Sequence, residues 1–208
     1  MATLRLLGAV MAGGSSRRMG TDKARLAIDG EPLWRRQERT LLAAGAETVI
    51  VARRPHQTAL PGATCWRDVF SQAGPLAGLH AVLLPGAAAW VAVLAVDMPE
   101  IDAGWFEWLL GFCRPGTGAM ARHDEACEPL AAIYPAEALR EVVARLQRRE
   151  HSLQGLALAL AEQGRLALIP VPAGRRPSVR SLNRPADWDE FTRPSARQNS
   201  PSPCGRDR

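Results

Sequence analysis

A short segment near the start of the chain combines backbone freedom with positive charge. From residue 8 to residue 26 it reads GAVMAGGSSRRMGTDKARL. Gly13 and Gly14 end an apolar run, and a glycine lets backbone amides approach a bound group without a side chain in the way. Arg17, Arg18 and Lys23 follow within the next ten residues. Amides and cations together favour phosphate binding, because phosphate oxygens are charged hydrogen-bond acceptors.

This loop matches neither of the two commonest phosphate-binding patterns. The P-loop pattern, G-x-x-x-x-G-K-[ST], fails because five residues separate Gly14 from Gly20 and Thr-Asp-Lys follows. The dinucleotide pattern G-x-G-x-x-G fails because the glycines of GGSSRRMG are spaced differently. A solvated turn with arginines is the alternative, but it would require two glycines, three cations and a preceding strand to coincide. The sequence therefore predicts a phosphate site of another type.

Apolar periodicity predicts the elements that must position this loop. Strands and amphipathic helices alternate, which requires crossover connections and a mostly parallel sheet covered on both faces. The expected fold is α/β, a Rossmann-like three-layer α/β/α sandwich. Strands are predicted at 4–11, 48–52, 90–96, 118–122, 130–134 and 166–171, with a further candidate at 179–183. Helices are predicted at 32–46, 75–84, 102–113, 135–149 and from the Ser152 cap to 163.

Carboxylates near predicted strand ends are candidate ligand-binding groups. Ligands of open α/β sheets bind at the carboxyl ends of the strands. Asp97 ends the apolar run 90–96, so its oxygen atoms suit a hard cation there. A turn or helix-cap role before Pro99 is the alternative for Asp97. Asp68 fits a surface turn equally well, while Gly74 and Gly78 would let a helix begin close to a ligand.

Composition narrows the classes of function. The 208 residues suit one domain, or at most two small ones. No apolar run reaches the roughly 18–20 residues that span a bilayer, so a cytoplasmic protein without membrane contact is expected. Four cysteines and four histidines show no metal or redox spacing. The net charge is +5, of which the segment from Arg193 onward carries +3. The remainder has no basic stripe with interleaved aromatics, so nucleic acid is not an expected partner.

At the level of whole motifs, MAGGSSRRMGTDKARL closely resembles the nucleotidyltransferase signature A-G-G-x-S-x-R-M-G-x-D-K. It is most similar to the molybdenum cofactor guanylyltransferases, or molybdopterin guanine dinucleotide synthases. The double glycine after Ala12 favours that branch, since related cytidylyltransferases usually carry Ala-Ala-Gly and Asn-Lys. The segments RDVFSQAGPLAGL, LAVDMP, EPLAAIYP and SLNRPADW resemble further family motifs and occur in family order, up to about residue 191.

The resemblance implies a nucleotidyltransferase-type fold and a defined reaction. GMP would pass from GTP to the phosphate of molybdenum-molybdopterin, with release of pyrophosphate and with Mg²⁺ as cofactor. GTP and molybdopterin would be the binding partners, and molybdoenzyme-delivery proteins are further candidates. Such chemistry needs no protein nucleophile, because the acceptor phosphate is already an anion.

The resemblance also assigns roles to individual residues. Lys23, Arg18 and Asp97 would be catalytic, and Asp97 would be the metal ligand. Arg18 and Asn183 would contact the pterin. The residues implied in nucleotide binding are Met11, Ala12, Gly13, Gly14, Lys23, Asp68 and Asp97.

Two departures from the family pattern leave alternatives open. The family usually has an Asn after the second strand that contacts guanine, where this chain has Ala52, Arg53 and Arg54. Ser181 replaces the first Asn of the closing motif, although Asn183 is kept. One alternative is a related nucleotidyltransferase that uses CTP or a sugar phosphate. Another alternative is a degenerate member that only binds nucleotide or cofactor. The retained residues Lys23, Asp68 and Asp97 argue against this alternative.

The expected organisation is a single nucleotidyltransferase domain over 1–192, with a nucleotide-binding N-terminal half and a pterin-binding C-terminal half. A basic tail rich in Ser, Pro and Arg, 193–208, follows and is expected to be disordered because its composition cannot bury a core.

Deleting 194–208 should therefore leave the melting temperature and the turnover of GTP near those of the full chain. A clear loss of either, by thermal denaturation or pyrophosphate release, would show that the tail packs on the body.

Overall fold

The computed structural model describes residues 6–14, 22–67, 70, 73–86, 88–124, 126–172, 174, 180–183 and 185–192. The strands in these ranges are β1 (Leu6–Met11), β2 (Ala27–Ile28), β3 (Glu31–Pro32), β4 (Thr48–Arg53), β5 (Cys65–Arg67), β6 (Trp90–Ala95), β7 (Gly118–His123), β8 (Ala126–Pro135) and β9 (Leu166–Pro170). The α-helices are α1 (Leu33–Ala43), α2 (Pro75–Leu83), α3 (Ala103–Leu110), α4 (Leu139–Arg148), α5 (Leu153–Glu162) and α6 (Pro185–Thr192). Short 3₁₀ turns lie at Lys23–Arg25 and Ala136–Ala138.

A seven-stranded sheet with the order β5-β4-β1-β6-β8-β7-β9 forms the centre of the fold. β8 is antiparallel to both of its neighbours, and the other neighbouring pairs are parallel. β1 lies between β4 and β6, with Met11 beside Ala52 on one side and Ala95 on the other. The chain thus reverses its direction of travel across the sheet next to β1, and ligands of open α/β sheets bind in the crevice at such a point.

Helices cover both faces of this sheet, as the alternation of side chains along each strand requires. Val10 of β1 packs in one core cluster with Leu33 of α1 and Phe106 of α3. Its neighbour Ala9 packs in the opposite cluster with Leu79 of α2. The α/β class and the mostly parallel, three-layer architecture predicted from the sequence are confirmed. Within the described ranges, no helix has both the length and the apolar character needed to cross a bilayer.

Several predicted element bounds need correction. Pro135 is not in the first turn of a helix: it ends β8, where it pairs with Trp90, and α4 begins only after a 3₁₀ turn. The described residues of the candidate strand at 179–183 are irregular, and α6, which follows them, was not predicted. The predicted tail, 193–208, lies outside the described residues, so the domain division remains a prediction.

Candidate functional site

A cavity of about 190 Å³ lies at the carboxyl end of the sheet, where β1, β4 and β6 end. The sequence-predicted residues Met11 through Gly14, Lys23, Asp97 and Asn183 all line it. They come from three regions that are far apart in sequence. The strand order brings these regions together, because β1 and β6 are neighbours and their last residues lie side by side.

Lys23 occupies the centre of this group. Its ammonium Nζ donates to Asp97 Oδ2 at 2.8 Å and to Asn183 Oδ1 at 2.9 Å. Only 16% of the Lys23 side chain and 20% of the Asp97 side chain are exposed. A cation, a carboxylate and an amide therefore meet in one partly desolvated place. Electrostatic interactions are stronger there than in bulk water.

Backbone and side-chain hydrogen bonds fix the segments that carry Asp97 and Asn183. The Leu182 N–H donates to the Asp97 carbonyl at 2.8 Å, which ties the closing segment to the end of β6. The Asn183 N–H donates to Asp187 Oδ2 in the first turn of α6 at 3.0 Å. On the other side, the buried amide of Gln37 donates to the carbonyls of Ala95 and Met98, which flank Asp97. The position of Asp97 is thus determined by α1 as well as by β6.

A second ion pair positions the turn that carries Lys23. Asp22 Oδ1 accepts from the Ala24 N–H at 3.2 Å and caps the 3₁₀ turn, while Asp22 Oδ2 accepts from Arg53 Nη2 at 2.6 Å. The Arg53 side chain is only 1% exposed, whereas Asp22 is 24% exposed. Within the described chain, Arg53 Nε and Nη1 have no hydrogen-bond partner. Asp22 is therefore the counter-charge of a buried guanidinium and links the end of β4 to Lys23.

The loop after β1 is held between the two neighbouring strands. The Ala12 N–H donates to the Ala52 carbonyl at 3.0 Å, and the Val96 N–H donates to the Met11 carbonyl at 3.2 Å. A methyl group added at Gly14 would meet no atom of the described residues within 4 Å, and Gly14 lines the cavity, so among these residues the position borders open space. The absence of a side chain leaves that space to a ligand.

The first turn of α2 forms another wall of the cavity, as expected from Gly74 and Gly78. Gly74 adopts φ +59° at the N-cap, and Pro75 begins the helix. A Cβ at Gly78 would come within 2.6 Å of Met11 Cε, so glycine allows α2 to pack directly on the end of β1. The helix N-terminus, which carries partial positive charge, consequently faces the cavity.

Two predicted site residues lie outside the part of the chain that the structure describes, and several residues that line the cavity were not predicted. Arg18 and Asp68 lie outside the described residues, so their roles stay predictions. Asp22, Arg54 and Leu130 line the cavity but were not among the predicted site residues. Asp22 could have been suspected from its position beside Lys23, and Arg54 from its position after a strand. Nothing local distinguishes Leu130.

None of the described thiols, Cys65, Cys113 and Cys127, lines the cavity. Cys113 and Cys127 are buried and free, and burial raises the pKa of the Cys113 thiol to about 11. A thiol with that pKa stays protonated near neutrality and is a poor nucleophile. In the described ranges, no three His, Cys, Asp or Glu side chains converge as a metal cluster.

Comparison with known proteins identifies close relatives. The sequence profile of a family described as "MobA-like NTP transferase domain" matches residues 8–166. A probable molybdenum cofactor guanylyltransferase from Opitutus terrae is 49% identical over 197 residues, covering 92% of this chain and 96% of the relative. One from Deinococcus radiodurans is 37% identical, covering 91% and 95%. The structure of molybdopterin-guanine dinucleotide biosynthesis protein A from Archaeoglobus fulgidus superposes with a TM-score of 0.71 at 23% identity, covering 88% and 95%.

The Asp22–Arg53 pair predicts a specific stability defect. Asp22→Asn leaves a buried guanidinium without its counter-charge; removing one partner of a fully buried pair costs about 3–5 kcal/mol, and the partial exposure of Asp22 reduces the expected loss to about 2–3 kcal/mol. Urea unfolding followed by circular dichroism measures it.

Glu31→Gln is the matched control, because it breaks the exposed pair between Glu31 and Arg39, which is 2.7 Å long. This control should cost less than about 1 kcal/mol. Equal unfolding midpoints for the two variants would contradict the assigned role of Asp22.

Proposed function

The chain belongs to the MobA-like NTP transferase domain family and, like its full-length relatives, is a nucleotidyltransferase of molybdenum cofactor biosynthesis; we propose that its cavity is where GMP passes from GTP to molybdopterin. The product is the guanine dinucleotide form of the cofactor, and pyrophosphate is released. Because the reaction consumes GTP, the proposed location is the cytoplasm. The recipient of the product would be a molybdoenzyme or a protein that delivers the cofactor to one.

One observation carries the assignment of this reaction to the cavity. Lys23, Asp97 and Asn183 converge within hydrogen-bond distance at the strand-order reversal, beside the open space over Gly14. An ammonium group beside a glycine-bounded space suits a triphosphate. The N-terminus of α2 adds further favourable potential for an anion.

For this reaction the protein must bring two anions together, the molybdopterin phosphate and the triphosphate of GTP. An oxygen of the molybdopterin phosphate attacks the α-phosphorus of GTP, and the bond from that phosphorus to the bridging oxygen of the β-phosphate breaks. Lys23 lowers the repulsion between the two anions and stabilises negative charge that develops on the phosphoryl oxygens. Backbone amides of the loop after β1 orient the triphosphate, and Asn183 orients the acceptor. The proposed role of Arg18 is also toward the acceptor, and that of Asp68 toward the nucleotide.

A divalent cation, which we propose to be Mg²⁺, fits the oxygen donors of this cavity. Mg²⁺ in nucleotide sites is held by one or two carboxylates together with phosphate oxygens and water. Asp97 is the proposed ligand, because Lys23 bonds only its Oδ2 atom. Both carboxylate oxygens of Asp22, the other carboxylate on the cavity wall, accept hydrogen bonds, from the Ala24 amide and from Arg53. When bound, such an ion would neutralise phosphate charge and favour departure of pyrophosphate.

The decisive experiment measures pyrophosphate release by the purified full chain with molybdopterin and each of GTP, CTP, ATP and UTP. Release should require both GTP and molybdopterin, and the product should contain GMP by mass spectrometry. Faster release with CTP would identify a cytidylyltransferase. Binding of GTP without turnover would identify a member that only carries nucleotide or cofactor.

Lys23→Ala should lower turnover by a factor on the order of 10²–10³, as expected for the loss of one preorganised group that stabilises developing charge. Arg140→Ala, at an exposed position on α4, is the charge-matched control and should retain full turnover. Steady-state pyrophosphate release provides the rates. A loss below about threefold, which corresponds to less than about 0.7 kcal/mol, would remove Lys23 from the mechanism.

Asp97→Asn tests the proposed metal ligand. The substitution preserves the shape of the side chain and an oxygen that Lys23 can bond, but it removes the negative charge. Turnover that depends on Mg²⁺ should be almost abolished, while circular dichroism should be unchanged. Binding of metal-free GTP should strengthen slightly, because one charge that repels the phosphates is gone. Wild-type turnover with the same Mg²⁺ dependence would place the metal elsewhere.

A further inference from the structure

Arg54 lines the cavity at the position just beyond the end of β4. Its aliphatic stem lies beside the loop after β1, since a Cβ built on Gly13 would be 3.6 Å from Arg54 Cγ. The residue is half-buried. The sequence predicted no role for Arg53 or Arg54, and the proposed transfer reaction gives Arg54 none.

The alternation of side chains along β4 separates the two adjacent arginines. Val51 packs in the core cluster on the α1 side of the sheet, and Arg53 continues on that side, where it meets Asp22. Ala52 packs in the cluster on the α2 side, and Arg54 lies with it on the cavity wall. Arg53 therefore stabilises the fold, whereas Arg54 lies on the cavity wall, where a ligand can contact it.

The backbone at Arg54 is held rigidly by one partner. The Arg54 N–H donates to Gln57 Oε1 at 2.8 Å, and the Gln57 N–H donates in turn to the Arg54 carbonyl at 3.1 Å. This reciprocal pair closes the turn after β4. Fixing the backbone reduces the conformational freedom that the arginine would lose on binding a ligand.

The surroundings of Arg54 combine a cationic fork with a small, apolar wall. Ala52, Gly78 and Met11 form that wall, and a Cβ on Gly78 would lie 3.6 Å from Ala52 Cβ. Across the ranges that the structure describes, no carboxylate or carbonyl pairs with the Arg54 guanidinium. A flat ring can lie against the apolar wall and present polar atoms at its edge to the guanidinium.

We propose that Arg54 selects guanine by donating two parallel hydrogen bonds to its O6 and N7 atoms; this inference rests on the proposed function. The planar guanidinium fork matches two adjacent acceptors, and guanine offers this pair on one edge. Adenine has an amino donor in place of O6, and cytosine also has an amino donor on the corresponding edge. Arg54 thereby supplies the base recognition for which the family usually uses Asn.

Nucleotide analogues separate this role from a contact with phosphate. The analogue 7-deaza-GTP keeps the triphosphate, the sugar and O6 but lacks the N7 acceptor. The experiment measures kcat/KM for GTP and 7-deaza-GTP with the wild type, Arg54→Ala and Arg54→Lys, using Arg140→Ala as the control. Thermal shifts with each nucleotide, without molybdopterin, report binding independently of transfer.

The wild type and the control should use 7-deaza-GTP about tenfold less well than GTP, within the range of a bidentate contact. Arg54→Ala loses both bonds, so it should use GTP more than about tenfold less well than the wild type and show no further loss on the analogue. Arg54→Lys should not restore the preference. Arg54→Ala that weakens both nucleotides equally would overturn the proposal in favour of a phosphate contact. Unchanged use of GTP by Arg54→Ala would also overturn it.

The two proposals fail in different ways in this design. If the wild type bound GTP but transferred no GMP, the proposed function would fail, and the thermal shifts would still decide the role of Arg54. If the wild type transferred GMP but did not discriminate against 7-deaza-GTP, only the recognition by Arg54 would fail.

Discussion

The contact between Lys23 and Asp97 is the interaction on which the geometry of this site depends. It joins the segment after β1 to the end of β6, and Asn183 extends it to the closing segment of the fold. The two charges are largely removed from water, so their attraction is strong but their desolvation is costly. A substrate that brings phosphate oxygens to Lys23 therefore replaces one anionic partner with another, instead of paying the full cost of desolvating the ammonium group. The ion pair therefore holds the Lys23 ammonium group in the cavity before the substrate binds.

Much of this arrangement follows from local pattern, and the remainder depends on partners that are distant in sequence. Apolar runs predict most strands because buried parallel strands are almost continuously hydrophobic. The glycine-rich, cationic loop after the first predicted strand then indicates Lys23. The end of the predicted strand at 90–96 indicates Asp97, because the crevice of an open sheet lies there. The prediction failed at Pro135, whose φ suits a helix start, because pairing with Trp90 extends β8 through it. The pairing with Trp90 thus outweighed the preference of Pro135 for the start of a helix.

Arg53 and Arg54, the consecutive arginines after the second predicted strand, show which features of the site cannot be predicted from the sequence. As a pattern, Ala52, Arg53 and Arg54 only mark a departure from the usual Asn. The backbone pleat gives them opposite environments, since successive side chains of a strand point to opposite faces. Burial of Arg53 requires the carboxylate of Asp22, 31 positions earlier in the chain. No local sequence pattern indicates that Arg53 is buried or that Asp22 is its partner. The different environments of Arg53 and Arg54 are therefore established only by the folded structure.

The antiparallel strand β8 explains how both halves of the chain contribute to one cavity. β8 pairs directly with β6 and places Ala131 beside Leu94, so Leu130 lies next to the last residue of β6 and closes the wall opposite β4. Asn183 lies on the same side, tied to Asp97 through Leu182. In an in-line displacement the acceptor and the leaving group approach and depart on opposite sides of the phosphorus. The proposed acceptor must therefore approach the α-phosphorus opposite the pyrophosphate. If the guanine lies on the β4 side with Arg54, the wall formed by Leu130 and Asn183 is the part of the cavity that is left for this acceptor. The order of strands in the sheet would then place the two substrates of the proposed reaction on different sides of the cavity.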